Sequence, residues 1–551
     1  MGEWIRLDVP SRSQHGTGAP NGALRPGLSP IVDSTEPQPG SVSFPSILFL
    51  RVDDSITAEA LEEPLFFRDL NLDQIVNRIT AGFREYHLEP YFHERLTDIE
   101  SITYRQEVMK ELEDAPVMQA VRTFSRQMRA MRERLELARK RHYKQQKERT
   151  FVGAVEIYCD AIRSLAEDIG RLELRSTGMR AFREYLGRYL ESQAFKALGA
   201  ETARLKSCLA GIRYSLLLRG DIQVQPYEEA EDYSSVIERT FERFRRGAPK
   251  GREVDQGTSK EMNHIEAEIL DRVAKLNPEI FQALERFCTE NAKFMDEGIS
   301  RFDREVQFYV AYLGYIGLLR EAGLPFCYPQ LSDSSKEISC REAFDLALAY
   351  RQMGERAPTV TNDFQLSGRE RILVVTGPNQ GGKTTFARTF GQLHYLAVLG
   401  CAVPGSTARL FLYDGLFTHF EREEVAANLR GKLRDDLIRI RQILEDATPS
   451  SIIIMNEIFA STTVKDAVFL GTQIVRRLSR LDALAVCVTF LSELATLDTK
   501  TVSMTSTVDP TDPAIRTFKI LRRPASGLAY ALAIARKHRV TYEQIKERLK
   551  S

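Results

Sequence analysis

Residues 372–385 read ILVVTGPNQGGKTT and carry the most informative pattern in the chain. The β-branched run ILVVT is typical of a strand buried on both faces, and the residues after it satisfy G-x-x-x-x-G-K-[ST]. Glycines allow backbone N–H groups to surround a polyphosphate, and a helix that we expect to run through Leu399 points its positive end at the anion. We therefore predict that ATP binds the residues of this loop: Gly377, Pro378, Asn379, Gln380, Gly381, Gly382, Lys383, Thr384 and Thr385.

Individual residues in and near this loop have specific predicted roles. The Lys383 ammonium neutralises the β- and γ-phosphates, and the Thr384 hydroxyl is a ligand for Mg²⁺. The apolar run SIIIM (451–455) ends at Asn456-Glu457, and a buried strand that delivers an acidic pair is the usual partner of such a loop. Asn456 is neutral but can accept a hydrogen bond from a metal-bound water, so we assign it with Thr384 to the Mg²⁺ site. Glu457 is the candidate general base, with a structural carboxylate at a strand end as the alternative.

The C-terminal part of the chain alternates between apolar runs and helical segments. Three such runs are ILVVT, SIIIM and LAVCVTF (484–490). Buried strands separated by helices predict a parallel sheet with helical crossovers. We therefore expect an α/β P-loop ATPase domain over residues 346–551.

The region before this domain reads mainly as helices. Two apolar stripes with spacings of three and four residues predict amphipathic helices: Val117, Val121, Phe124, Met128, Met131 and Leu135, and Val152, Val155, Cys159, Ile162, Leu165, Ile169 and Leu172. Strand-like runs on either side of Arg219-Gly220-Asp221 predict a β-hairpin over residues 211–227, after which helices resume at about Glu261. We therefore predict a mainly helical domain over residues 46–345, with a β insertion at about 211–260.

The N-terminal segment has a different composition. Residues 1–45 contain 7 Pro, 6 Gly and 6 Ser without a periodic apolar pattern, so we expect a disordered leader. Order is expected to begin near Phe44, where the run SILFLRV indicates a strand.

The overall composition excludes several classes of protein. The 76 basic and 76 acidic residues cancel, which argues against a uniformly basic nucleic-acid-binding surface but not against a local patch. The 7 cysteines show no CxxC spacing, so neither a zinc cluster nor a disulfide framework is expected. The longest apolar run, Phe308 to Leu319, is shorter than the ~20 residues that cross a bilayer, and no signal peptide is visible. We expect a cytoplasmic protein without a membrane span.

The phosphate loop and its surroundings resemble the ATPase domain of the MutS mismatch-repair family. The run TNDFQL precedes GPNQGGKTT, and the segments 452–467, 488–494 and 525–540 resemble the family's later motifs in the same order. Residues 304–330 resemble the helix that returns to the ATPase domain. This resemblance implies core and lever helices, a DNA-touching clamp between the lever arms and an ABC-type ATPase. It also implies that two chains meet head to tail through their ATPase domains and encircle a duplex.

Several positions depart from the family pattern. Members that read mismatches carry an N-terminal Phe-x-Glu wedge domain and a connector domain, and 45 unpatterned residues are too few for either. We therefore expect a short member that lacks both domains and does not sense mismatches directly. Asn456 stands in place of the family's Asp, and Phe490 in place of its γ-phosphate-sensing His. Thr359 falls where an aromatic residue usually stacks on adenine. Gly431, beside Lys432, falls where a serine reaches the partner's γ-phosphate.

These departures leave several functions open. We predict an ATP-gated homodimer that binds double-stranded or structured DNA and hydrolyses ATP slowly. One alternative is an ABC-type nucleotide switch that gates a protein partner without DNA, and another is a degenerate dimer that binds ATP without turnover. Two basic clusters are candidates for backbone contacts with DNA, although each can also be a solvated face. They are Arg139, Lys140, Arg141, Lys144, Lys147 and Arg149, and Arg243, Arg245, Arg246, Lys250 and Arg252.

Overall fold

Helices build the N-terminal part of the protein, and a mostly parallel sheet builds the C-terminal part. The computed structural model describes the following residues: 46–51, 62–219, 221–227, 262–421, 432–459, 462–512, 515–525 and 540–550. The predicted disordered leader (1–45) lies outside the described residues, as do the second basic cluster and Gly431.

The helices before the hairpin agree with the periodicity of the sequence. They are α1 (Leu72–Thr80), α2 (Glu89–His93), α3 (Ile99–Leu112), α4 (Ala115–Lys140), α5 (Lys144–Gly170), α6 (Thr177–Glu191) and α7 (Gln193–Ala210). The long helices α4 and α5 pack against each other, and the apolar stripe of α4 is buried from Val117 to Met131. This confirms that the stripes are core seams between helices.

A β-hairpin follows α7, as the sequence predicts. Its strands β1 (Tyr214–Arg219) and β2 (Asp221–Pro226) pair antiparallel, from Tyr214 opposite Pro226 to Arg219 opposite Asp221. The helices α8 (His264–Leu276), α9 (Pro278–Glu290) and α10 (Glu297–Glu321) come after it. The hairpin is therefore inserted between two helical arms.

The run SILFLRV does not form the expected strand. Within the described part of this run, residues 46–51, the chain makes bends, and Ser46 to Phe49 are buried. Their polar groups bond side chains from distant helices: Glu305 Oε2 accepts from the Ser46 hydroxyl and from Ile47 N at 2.8 Å each. Tyr309 donates its hydroxyl to Ile47 O at 2.5 Å. The prediction of a strand was wrong because these bonds replace a β-ladder for this segment.

Short and long strands alternate with helices after α10. The strands are β3 (Phe326–Cys327), β4 (Gln330–Ser332), β5 (Ile338–Ala343), β6 (Asn362–Leu366), β7 (Ile372–Thr376), β8 (Val403–Pro404), β9 (Thr407–Phe411), β10 (Leu416–His419), β11 (Ile452–Asn456), β12 (Leu484–Val488), β13 (Thr501–Val508) and β14 (Arg516–Arg522). The helices are α11 (Leu346–Glu355), α12 (Lys383–Val398), α13 (Lys432–Asp446), α14 (Val464–Leu481) and α15 (Tyr542–Lys550).

Six of these strands form the large sheet, in the order β10-β11-β12-β7-β13-β14. All neighbouring pairs are parallel except β13 with β14, which form an antiparallel edge. The central strands β7, β11 and β12 are buried at every residue, as the apolar runs predict. Because parallel strands end at one edge, the loops after β7, β11 and β12 meet on the same side of the sheet.

A smaller sheet joins strands from before and after the predicted domain boundary. Its order is β4-β9-β5-β6, and β3 pairs separately with β8. Strands from residues 326–343 therefore pair with strands from residues 362–411. The boundary at residues 345 and 346 stays a prediction.

Helix α12, which follows the glycine-rich loop, is hydrogen-bonded to residues of the helical part. Gln392 donates its amide to Leu70 O at 2.8 Å and to Asp345 Oδ2 at 3.1 Å. The fully buried Arg105 of α3 donates to Leu399 O, just beyond the end of α12, at 3.1 Å. A cation beside a helix C-terminus complements the helix dipole, so these contacts tie the two parts together at this helix.

All seven cysteines are described and carry free thiols. Among the described helices, none is both long and apolar enough to cross a membrane.

Candidate nucleotide-binding site

The glycine-rich loop lies between the end of β7 and the start of α12, as the sequence predicts. Two of its glycines adopt backbone angles that disfavour other residues: Gly377 has φ of 123° and Gly382, the N-cap of α12, has φ of 90°. Gly381 is required for space, because an added Cβ would lie 2.3 Å from the Ser506 hydroxyl oxygen. The loop can therefore present backbone N–H groups next to a positive helix end.

Lys383 points back into the loop and is only 4% exposed. Its ammonium donates to Gly377 O at 3.2 Å and to Pro378 O at 3.1 Å. It also lies 3.8 Å from Glu457 Oε1. Burial lowers the pKa of Lys383, while the Glu457 carboxylate opposes that shift. The contacts of the lysine are acceptor oxygens, and phosphate oxygens are acceptors of the same kind.

The residues assigned to Mg²⁺ are adjacent. Thr384 donates its hydroxyl to Asn456 Oδ1 at 2.9 Å, which joins the first turn of α12 to the end of β11. Hydroxyl and amide oxygens are hard donors, and Mg²⁺ usually combines one or two protein oxygens with waters and phosphate oxygens. The described residues contain no cluster of three or more His, Cys, Asp or Glu that could hold a metal. The two oxygens therefore suit a cation that nucleotide phosphates help to bind.

Glu457 follows β11 at the same edge of the sheet. It has a positive φ of 53°, and its backbone N donates to Val488 O at 2.9 Å. This bond to the end of β12 orients the residue, so that its carboxylate reaches Lys383. The structure thus brings Glu457 together with Lys383, Thr384 and Asn456, and their chemical roles stay predictions.

The positions that depart from the family pattern are dispersed around this group. Phe490 lies two residues beyond the end of β12 and is 48% exposed. Thr359 donates its hydroxyl to Gln352 Oε1 at 3.0 Å. Lys432 begins α13, and the preceding Gly431 lies outside the described residues. The resemblance also implies that residues 459–464 contact a partner chain; of these, Phe459 is fully buried, and residues 460 and 461 are not described.

The structure adds two residues that the sequence analysis missed, both on β14. A Cβ at Gly382 would lie 3.7 Å from the Cβ of Phe518, so this exposed phenyl ring borders the loop. Arg516 donates its Nε to Asn379 O at 3.3 Å. Neither residue belongs to a sequence motif. The antiparallel pairing of β14 brings both to the loop, and that pairing is not visible in residue types.

Only part of the first basic cluster lies in the connection between α4 and α5. The residues between α4 and α5 are 141–143, and the rest of the cluster lies in the adjoining helical turns. Arg139 forms an ion pair with Glu136, and Lys144 with Glu285. These two cations are therefore neutralised within the fold.

Comparisons with known proteins find similarity in the C-terminal segment of the chain. Residues 373–548 match the family model described as MutS domain V. Three similar curated proteins are each named DNA mismatch repair protein MutS. The one from Aquifex pyrophilus is 30% identical over 192 residues, which are 34% of this chain and 22% of the relative. The one from Desulfovibrio desulfuricans is 30% identical over 229 residues, 40% of this chain and 23% of the relative. The one from Chlorobaculum tepidum is 26% identical over 215 residues, which are 38% of this chain and 24% of the relative.

The match to the family model begins within β7 and includes the glycine-rich loop, β11 and β12. MutS domain V is the ATPase domain of that family. The matched segment covers about a quarter of the length of the curated relatives.

Proposed function

Because residues 373–548 match the family model of MutS domain V, we propose that the protein is an ATP-dependent DNA-binding protein that hydrolyses ATP slowly. In this proposal the domain is an ABC-type P-loop ATPase that uses ATP with Mg²⁺. The protein acts on DNA structure and forms a homodimer through its ATPase domains when ATP binds.

One observation carries the proposal: four polar side chains converge where the strands β7 and β11 end. Lys383 and Glu457 lie 3.8 Å apart, and the Thr384 hydroxyl is 2.9 Å from Asn456 Oδ1. Ligands of open α/β sheets bind beyond the carboxyl ends of the strands, which is where these side chains lie. A buried lysine beside two hard oxygen donors and a carboxylate suits a Mg²⁺ nucleotide.

Each residue has a defined part in nucleotide binding and hydrolysis. Lys383 neutralises the β- and γ-phosphates, and Thr384 with Asn456 orients the metal, which supplies positive charge to the phosphates. Glu457 accepts a proton from the attacking water, since it is the carboxylate nearest to the loop lysine. Phe490 has no donor for the γ-phosphate, and Asn456 brings no negative charge to the metal. We therefore infer slow hydrolysis and a long-lived ATP-bound state.

The nucleotide part of the proposal is tested by Lys383→Ala. Binding of a fluorescent ATP analogue should weaken by two orders of magnitude or more, because the variant removes the only buried ammonium among the described loop residues. Lys465→Ala, on the exposed start of α14, is the matched control and should bind normally. Equal affinity of the Lys383 variant and the control would contradict the assignment of the loop.

The dimer is tested on a variant that retains ATP. Glu457→Gln removes the proposed base without a change in size, so bound ATP should persist. Light scattering should then show twice the monomer mass with ATP and Mg²⁺, and a smaller particle without them. A mass that ATP leaves unchanged in both the variant and the wild type, at concentrations where the protein is monomeric, would contradict an ATP-gated dimer.

The DNA part of the proposal rests on the family and on the hairpin. The strands β1 and β2 extend between the arms α7 and α8, and Tyr214 and Leu216 on β1 are exposed. Contacts to the DNA backbone are independent of sequence and weaken with salt. The second basic cluster, which lies outside the described residues, follows this hairpin in the chain and is the proposed phosphate-contacting segment.

The ion pairs of the first basic cluster favour a second candidate function. Because Arg139 and Lys144 are neutralised by Glu136 and Glu285, this junction offers less charge to DNA than its sequence suggests. A nucleotide switch that gates a protein partner without DNA needs no such charge. A DNA-binding assay with and without ATP separates the two functions.

A further inference from the structure

The antiparallel hairpin of β13 and β14 packs directly on the phosphate loop. The fully buried Ser506 of β13 donates its hydroxyl to Gly381 O at 2.6 Å. An added Cβ at Gly377 would lie 2.9 Å from the Cβ of the same serine. The loop therefore rests against this edge of the sheet, and residues of β14 beside the contact can reach a nucleotide bound to the loop.

β14 bulges at this contact. Its register shifts between Ser506, which pairs with Ile520, and Val508, which pairs with Arg516. The extra residues include Phe518, whose φ of 57° is strained for an aromatic side chain. Bulges re-aim side chains and are frequent next to active sites.

The strained backbone is held by side chains on both flanks. Asn362 of β6 accepts from Ile520 N at 2.7 Å and donates to Phe518 O at 3.2 Å. On the other strand, the Thr507 hydroxyl oxygen lies 2.6 Å from that of Thr517. The bulge is therefore fixed at both ends, and the direction in which it presents its side chains is set by the fold.

Arg516 is the cation that this bulge presents to the loop. Its Nε donates to the carbonyl oxygen of Asn379 at 3.3 Å, and the side-chain oxygen of the same Asn379 accepts from Lys383 at 3.5 Å. Two cations from different elements thus converge on one residue of the loop. The charge of Arg516 adds to burial in lowering the pKa of Lys383, which places the two charges within electrostatic reach of each other.

We propose that Arg516 contacts the γ-phosphate of ATP bound to this loop from within the same chain, and that this contact is separate from the hydrogen bond that Phe490 cannot donate. The inference rests on the proposed ATP site. A guanidinium presents five N–H donors in a planar fork that matches phosphate oxygens. An arginine supplied in cis stabilises the charge on the transferred phosphoryl group and raises turnover. Arg516 thereby makes the site distinguish ATP from ADP.

The test compares the affinities for a non-hydrolysable ATP analogue and for ADP by calorimetry on the full chain. Arg516→Gln removes the charge and keeps a polar side chain of similar length. We expect the affinity for the ATP analogue to fall about 10- to 100-fold, the range for one charge-assisted hydrogen bond, with ADP affinity changed less than about twofold. Arg516→Lys should recover part of the loss, because it restores the charge without the fork.

Arg522→Gln is the matched control, since this arginine lies on the same strand but pairs with Glu370. It should leave the affinities for both nucleotides unchanged, and thermal unfolding should show that all variants are folded. Equal loss of ADP and ATP-analogue binding in Arg516→Gln, or no loss of either, would overturn the assignment. Lys383→Ala in the same assay keeps the two claims separate. If that variant binds both nucleotides normally, the ATP site itself is wrong. If it binds neither, while Arg516→Gln lowers both affinities equally or changes neither, only the role of Arg516 is wrong.

Discussion

Replacing Asn456 with Asp adds one negative charge to the proposed metal site without changing the shape of the side chain. Asn456 Oδ1 accepts from the Thr384 hydroxyl at 2.9 Å, so the new carboxylate lies beside the oxygen that we assign to Mg²⁺. We expect Asn456→Asp to lower the Mg²⁺ concentration that supports nucleotide binding. The neighbouring Glu457 strengthens the effect, because two adjacent carboxylates repel each other until a cation binds between them.

The size of this effect follows from the burial of the site. Two unit charges 4 Å apart attract by about 1 kcal/mol in water and by about 4 kcal/mol near a protein surface. Asn456 is only 8% exposed, which favours the larger value, but Mg²⁺ keeps several waters that screen the charge. An intermediate gain of about 2 kcal/mol corresponds to a roughly 30-fold lower midpoint for Mg²⁺.

The assay is a titration of Mg²⁺ against binding of a fluorescent ATP analogue. Asn77→Asp is the matched control, because it makes the same charge change on the exposed face of α1. The control should titrate like the wild type. A midpoint that Asn456→Asp leaves within twofold of the wild type, or a shift of equal size in both variants, would refute the assignment of Asn456 to the metal site.

Three further results are expected. Phe490→His restores a donor near the γ-phosphate and should raise steady-state phosphate release by up to about 10²-fold; an unchanged rate would mean that another group already makes this contact. Burial lowers the pKa of His394 on α12 to about 4. Burial favours the neutral imidazole in the folded protein, so the stabilisation from this side chain is complete above pH ~6.5. The free energy of unfolding should drop by up to about 3 kcal/mol as the pH falls from there towards 4. His394→Gln should flatten this part of the plot of unfolding free energy against pH, and His142→Gln, at an exposed position, should not. A pH dependence that both variants leave unchanged would contradict burial of His394 as its cause. Neutralising three basic residues after the hairpin should weaken DNA binding equally for all sequences and reduce the salt slope by ~0.9 per lost contact, whereas an equal slope would identify a solvated face. These residues are Arg243, Arg245 and Arg246.

Elements whose signal is local were predictable from the sequence. The run ILVVT forms β7 over Ile372–Thr376, and SIIIM and LAVCVTF give β11 and β12 within one or two residues. Strands buried on both faces consist of consecutive apolar residues, so their composition alone identifies them. The apolar stripe of α4 was also predictable, because its residues recur every three or four positions, which is the period of a helix.

Elements that depend on distant partners were not predictable. The apolar composition of SILFLRV indicates a strand, yet residues 46–51 are held by Glu305 and Tyr309, more than 250 positions away. No local pattern records that a buried carboxylate and a tyrosine hydroxyl satisfy this backbone. The same polar contacts explain why Glu305 of α10 is buried.

In the candidate site, likewise, residues with a local sequence signal were predictable and residues placed by distant pairing were not. The loop and the Asn456-Glu457 pair follow from motif and strand position, and the structure brings Thr384 within 2.9 Å of Asn456. Arg516 and Phe518 do not follow from any motif, because a bulge in β14 aims them at the loop. The family pattern has an aromatic residue at the position of Thr359, and the structure places Phe518, from a different strand, beside Gly382.

Equilibrium DNA binding with and without ATP tests the central claim most directly. Fluorescence anisotropy would follow labelled duplexes of unrelated sequence and a branched junction, each titrated with the full chain across a range of salt concentrations. We predict that the wild type binds these DNAs, that sequence has little influence, that affinity falls steeply with salt, and that ATP with Mg²⁺ changes the affinity. Lys383→Ala should bind DNA with an affinity that ATP does not alter. Absence of DNA binding by the wild type at low salt, or an affinity that ATP changes equally in the wild type and in Lys383→Ala, would contradict the account.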